Sequence, residues 1–167
     1  MTLPTARVRR SAYHIMLAVN TLLLIVALGL ALVNGSWLAA IAVGLPTAFI
    51  PLLLYKMLGD HTLSRVSYGI SFMFFSALFI HETGGMLEMH FAIFVLLAVL
   101  IAFRDYIVII AAAVTIAVHH LLFMYLQMQS AGVYLVPEQS LSLGIILLHA
   151  LFVVVESAVL IIISRQS

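Results

Sequence analysis

The chain has 167 residues, of which 65% are hydrophobic and only 8% charged, and its formal net charge is +1. Mean hydropathy is +1.27. Soluble domains carry about 45–50% apolar and about 25% charged residues, so a water-soluble globular fold is excluded. Disorder is excluded too, because it needs low hydrophobicity and high charge. No basic face exists for nucleic acid. With no cysteine, there is neither a disulfide framework nor a thiolate metal site. What remains is an all-α, polytopic membrane domain that is rich in histidine, with 7 His against 7 Lys and Arg and 6 Asp and Glu.

A membrane-crossing helix needs roughly 20 apolar residues. Six stretches qualify: residues 14–34, 37–55, 63–81, 86–103, 106–127 and 140–164. The fourth and fifth form one apolar run broken only by Arg104-Asp105. Two adjacent charges are costly inside hydrocarbon, so a tight hairpin at a membrane surface is expected there, although the turn contains neither Gly nor Pro. Pro46 and Pro51 predict a kink in the second helix. No repeat, low-complexity tract or linker divides the chain, so residues 1–167 read as one six-helix domain.

Six helices place both termini on one side. That side receives Arg7, Arg9, Arg10, Lys56, Arg65, Arg104 and Arg165, which are all the Lys and Arg of the chain. It reads as the cytoplasm. The outer side receives Asn34-Gly35-Ser36 and the loops 82–88 and 128–139, with Glu82, Glu88 and Glu138. The first stretch is too long for a cleavable signal peptide and lacks its cleavage pattern. No soluble output module lies within residues 1–167.

The histidines carry the chemistry. Taking about 1.5 Å per residue, His119 lies about 12 Å below the outer surface, His149 about 14 Å and His90 about 6 Å. His81 sits at the outer end of the third helix. Ionisable residues at membrane depth are functional candidates, although neutral imidazoles also join helices. His14 and His61 lie on the cytoplasmic side, where a histidine needs no special account. Neighbours on a helix differ by about 100°, so His119 and His120 cannot both face one ligand. Two imidazoles at matched depth on different helices suit b-type haem, with His149 and one of His119 or His120 as axial ligands and His90 next. Ala111, Ala112, Ala113, Ala117, Gly144 and Ala150 leave space, and Phe91, Phe94, Phe123 and Phe152 can wall a ring. The competing picture is copper, using the same histidines with Met86, Met89, Met124, Met128, Glu82 or Glu88. Glu156, seven residues inward from His149, shares its face and reads as a relay, with Asn20 or His14 as its partner.

The segment from Gly84 to Val95, Gly-Gly-Met-Leu-Glu-Met-His-Phe-Ala-Ile-Phe-Val, resembles the E-x-H-F-(H/G)-x-F-V segment of a six-helix membrane sensor domain. That domain stands at the N-terminus of bacterial methyl-accepting chemotaxis proteins and of some diguanylate cyclases and histidine kinases. Phe103-Arg104-Asp105-Tyr106 resembles its Y-R-D-W turn, and residues 117–123, with His119-His120, its A-x-H-H-x-x-F. Leu148-His149-Ala150 and Val155-Glu156-Ser157 resemble its last helix. The match covers residues 84–164; Ala92 stands where some relatives have a second histidine, and Tyr106 replaces a tryptophan. The resemblance implies a receptor input domain, and it extends to membrane oxygen transducers likened to haem-bearing oxidase subunits.

The expectation is therefore a non-enzymatic sensor of oxygen or redox state in the bacterial inner membrane. It holds haem b, or alternatively copper, through His149, His120, His119, His90 and His81. Its expected partners are lipid, a cytoplasmic signalling module fused after residue 167 and a second copy of the chain. A cofactor-free membrane anchor is the bland alternative, and a di-metal oxidase would have too few ligands. Reporter fusions at Lys56, Arg104 and Arg165 are expected to report cytoplasm, and fusions near Gly85 and Gly132 the outside. A cytoplasmic signal at Gly85 would overturn the helix order.

Overall fold

A computed structural model of the chain describes residues 3–138 and 142–166, with side chains from Val8 onward. The described residues form helices and no strand. We label them α1 (Leu3–Asn34), α2 (Trp37–Leu58), α3 (Thr62–Glu82), α4 (Leu87–Phe103), α5 (Tyr106–Met128) and α6 (Leu143–Gln166). All but α4 are long and apolar enough to cross a membrane. In α4, a nine-residue α-helix (Phe91–Val99) is flanked by 3-10 turns at Leu87–His90 and Leu100–Phe103. A 3-10 turn rises about 2.0 Å per residue, so α4 reaches about 30 Å despite its shortness. Gln139 and Ser140, at the expected start of the sixth stretch, lie outside the described residues, as does the side chain of Arg7.

The central helix is α3. Of its apolar window 72% is buried, against 22–28% for the other four long helices. Its small residues explain this, because they let neighbouring backbones come close. At Gly69 an added Cβ would stand 3.0 Å from both the side chain and the carbonyl oxygen of Val108 on α5. Helices α1 and α2 pack on α3 from one flank, α5 from the other, and α6 packs on α5 and α4 beyond.

Buried polar groups lock these contacts at three levels. At mid-depth, Pro51 has no N–H, so the Thr47 carbonyl loses its helical partner. Ser71 of α3 replaces it, its Oγ lying 2.8 Å from that carbonyl and 2.7 Å from Asn20 Oδ1, with one hydroxyl hydrogen shared between them. Asn20 Nδ2 donates to the neighbouring Ala48 carbonyl at 2.8 Å. The expected kink in α2 is thus bonded into α1 and α3, and a π-helical turn at Ala40–Gly44 precedes it. At one end of the bundle, expected to be the outer one, Ser36 Oγ donates to Glu82 Oε1 at 2.8 Å. Glu82, expected in a loop, is the last residue of α3 and only 5% exposed.

At the other end lies an ionic knot. Arg65 Nε donates to Asp105 Oδ2 at 2.9 Å, another of its nitrogens bonds Asp60, and a third donates to Thr62 Oγ1 at 3.0 Å. Arg9 and the Tyr13 hydroxyl also reach Asp60, each at 3.4 Å. The α4–α5 hairpin forms without Gly because Arg104 takes the left-handed conformation (φ 50°) and Asp105 caps α5, accepting from Ile107 N at 3.1 Å. The Arg165 guanidinium lies 4.6 Å from the centre of the Tyr106 ring, tying the end of α6 to the start of α5. Arg9, Arg65 and Arg165 therefore gather at one end of the bundle.

Removing one partner of a buried ion pair strands the other, at a cost of about 3–5 kcal/mol. Asp105→Ala is expected to lower unfolding stability in detergent by that order. Arg9→Ala breaks only a partly exposed pair, and its effect is expected to stay below about 1 kcal/mol. An effect of Asp105→Ala below about 1 kcal/mol, the range of a surface pair, would show that the buried pair does not bear on stability.

Candidate functional site

Helices α4, α5 and α6 enclose a cavity of about 250 Å³ walled by apolar side chains such as Phe94, Ile116, Ile146 and Val153. Three of the sequence-predicted histidines line it, one from each helix: His90, His120 and His149. The ring centre of His90 lies 5.5 Å from that of His120 and 5.3 Å from that of His149, with planes at 73° and 61°.

All three rings are oriented by the same local bond. His120 Nδ1 lies 2.9 Å from the Ile116 carbonyl, His149 Nδ1 2.9 Å from that of Ile145, and His90 Nδ1 3.3 Å from that of Met86. Each carbonyl belongs to the residue four earlier. A carbonyl only accepts, so each Nδ1 carries the hydrogen and each Nε2 is left with a bare lone pair. His90 Nε2 is buried with no hydrogen-bond partner. Donation by the far ring nitrogen to a backbone carbonyl is how metal-binding imidazoles are commonly held.

The other two predicted histidines stand apart. One step of about 100° on α5 turns His119 into a separate groove of about 360 Å³ beside Met73, Phe74 and Ala77 of α3. There both of its ring nitrogens are buried and unpartnered. His81 faces the outer loop, where the Tyr134 N–H donates to its Nδ1 at 3.4 Å. Met86, Met89, Met124, Met128 and Glu88 do not line the three-histidine cavity. Met89 packs into the main core and Met124 against the outer loop.

Glu156 lies on α6, where its Oε2 is buried without a partner. The expected partners are a correction: Asn20 is committed to Ala48 and Ser71, and His14 is exposed. The reason is packing order, since α6 rests on α5 and α4, away from α1. The hydroxyls of Ser157 and Ser164 on the same helix are also buried and unpartnered.

Gln127, which the sequence did not single out, and Gly85 hold the loop that carries Leu135 and Val136. Gln127 Oε1 accepts from the N–H groups of Leu135 and Val136 at 2.8 and 3.3 Å, and its Nε2 donates to the Val136 carbonyl at 2.7 Å. Leu135 and Val136 are buried with Ile146. Gly85, at φ +84°, presses on this loop so closely that a Cβ would stand 2.5 Å from the Val136 carbonyl carbon. The available signal was an amide at the end of α5 followed by two apolar loop residues.

As they stand, no three His, Asp or Glu side chains among the described residues are arranged to hold a metal ion. The two His90 pairs nonetheless have the spacing of a shared ion: with metal–nitrogen bonds of about 2.0–2.1 Å and angles near tetrahedral, ring centres fall roughly 5–5.5 Å apart. Of the expected axial ligands, His149 and His120 both line this cavity and His119 does not; its 250 Å³ is below the ~300–1,000 Å³ of pockets that enclose drug-sized ligands. No known family, curated protein or solved structure matches the chain.

The tautomers are open to direct measurement. Long-range 1H–15N spectra of histidine-labelled protein are expected to show protonated Nδ1 and bare Nε2 at His90, His120 and His149. Protonated Nε2 at two of them would remove the lone pairs from the cavity.

Proposed function

We propose that the chain is the membrane-embedded input domain of a bacterial signal transducer, and that it reads its signal at His90, His120 and His149. In this reading α1 to α6 all cross the inner membrane with both termini cytoplasmic, a signalling module follows residue 167, and two copies pair. The gathering of Arg9, Arg65 and Arg165 at one end supports that orientation, and the resemblance of residues 84–164 to chemoreceptor sensor domains supports the role.

One observation carries the site: three imidazoles from three helices line one apolar cavity with Nδ1 of each engaged on its own backbone, which leaves the Nε2 lone pair as the remaining donor. A Lewis acid satisfies such lone pairs. Imidazole suits copper, zinc, iron and nickel, and no carboxylate lines the cavity to offset a double charge. The cost of placing an ion in a low dielectric rises with the square of its charge, which favours copper(I). The two His90 spacings support a single shared ion. An ion held by these rings would engage His149 and through it α6, whose Arg165 meets Tyr106 of α5. Glu156 lies about 10 Å inward of His149, beyond reach of the ion, and serves as the relay.

Metal analysis of purified protein is expected to give about one copper per chain and no Soret band. His149→Ala and His120→Ala are each expected to lower that stoichiometry at least tenfold, and Glu156→Gln to leave it unchanged. A Soret band that vanishes in His149→Ala would replace copper with haem. Absence of both would overturn the metal reading.

A further inference from the structure

The three-histidine cavity opens on the side of the bundle. Leu135 and Val136, pinned by Gln127 and seated on Gly85, pack on Ile146, one of its lining residues. Its flank, between α5 and α6, is edged by Leu121, Leu147 and Val154, all exposed on the side of the bundle, with Ala117 and Ala150 leaving width between them. An occupant arriving by this route is uncharged and lipid-borne. Inside, it meets three hydrogen-bond acceptors and no side-chain donor, because each Nδ1 hydrogen is already donated to a backbone carbonyl.

We infer that the cavity binds a lipid-soluble hydroquinone, its ring inside, its hydroxyls donating to Nε2 of His90, His120 or His149, and its chain trailing through the flank into the bilayer. This rests on the proposed site and on its tautomers, and needs no bound metal. An acyl chain would leave every lone pair unmet, and a phosphate head group carries charge. The oxidised quinone has carbonyls and no donor, so it would set lone pair against lone pair. Hydrogen-bond direction alone thus separates the reduced from the oxidised form. Copper(I) and hydroquinone use the same lone pairs, so they exclude one another.

The test uses the full chain, stripped of metal, in phosphatidylcholine nanodiscs under argon. Titration with a decyl-substituted benzohydroquinone is expected to saturate and to shift the Cε1–H resonances of His90, His120 and His149, leaving His81 in place. The matching benzoquinone is expected to bind at least about tenfold more weakly, the factor set by one unmet buried hydrogen bond. His149→Ala and Ala150→Phe, the latter narrowing the flank with all histidines intact, are each expected to cut affinity about tenfold while His81 keeps its resonance. Copper(I) is expected to displace the hydroquinone. Equal affinity for the two oxidation states, or uptake unchanged in both variants, overturns the inference. Copper binding without any saturable hydroquinone binding also overturns it, and leaves the metal site standing. Hydroquinone binding that copper(I) does not disturb overturns the mutual exclusion and with it the copper site at these three rings.

Discussion

Inside hydrocarbon no water completes an unmet hydrogen bond, and this constraint shapes every part of the bundle. It makes the proline kink of α2 a joint between helices, since the Thr47 carbonyl freed by Pro51 has to be met by Ser71. It also orients the histidines. An imidazole on a lone apolar helix satisfies Nδ1 most directly on the carbonyl one turn earlier, and three different helices adopt that solution. Once Nδ1 is used in this way, the direction and protonation of Nε2 follow. The character of the cavity, three acceptors in an apolar wall, is thus a consequence of how isolated histidines survive in the membrane.

The bundle is built unevenly around that cavity. Helix α3 is largely buried and bonded at three depths to α1, α2 and the α4–α5 turn. Helix α6 has only a narrow buried stripe, through Ile146, Val153, Ser157, Leu160 and Ser164, and two of those residues are serines with no partner. Fewer buried apolar contacts mean a lower free energy of local displacement. The helix that supplies His149 packs chiefly on α4 and α5, the two helices that supply the other rings of the cavity.

Apolar runs and breaks made the helices legible in the sequence. The observed helix ends lie within a few residues of the expected ones, apart from the longer N-terminal start of α1. The hairpin at Arg104-Asp105 was legible because two charges cannot remain in hydrocarbon. That Arg104 itself takes the left-handed turn position, next to an Asp105 held by Arg65 from 40 residues away, was not. The split of His119 from His120 followed from helical rotation alone. Which of them faces the cavity did not, because that depends on α6 packing on α5 and α4. The same packing order removed Asn20 from Glu156, and depth along a helix carries no information about it. The burial of Glu82 was missed because its position at a helix end looked like a loop, whereas Ser36 draws it into the structure.

Histidine is suited to this site by what it leaves unfixed. A carboxylate would bring a charge that the cavity has nothing to balance, and a thiol would bring a weaker acceptor. A neutral imidazole brings a strong lone pair with no net charge, and its far nitrogen can be tied to the backbone of its own helix. The site can then stay empty at modest cost, since each Nε2 lacks only one partner and no ion is stranded. A cavity that is tolerable when empty and better when filled fits the input-domain role proposed above. The ionic knot differs: Arg65, Asp60 and Asp105 are charged, buried to different degrees and mutually dependent, so removing any one of them strands the others.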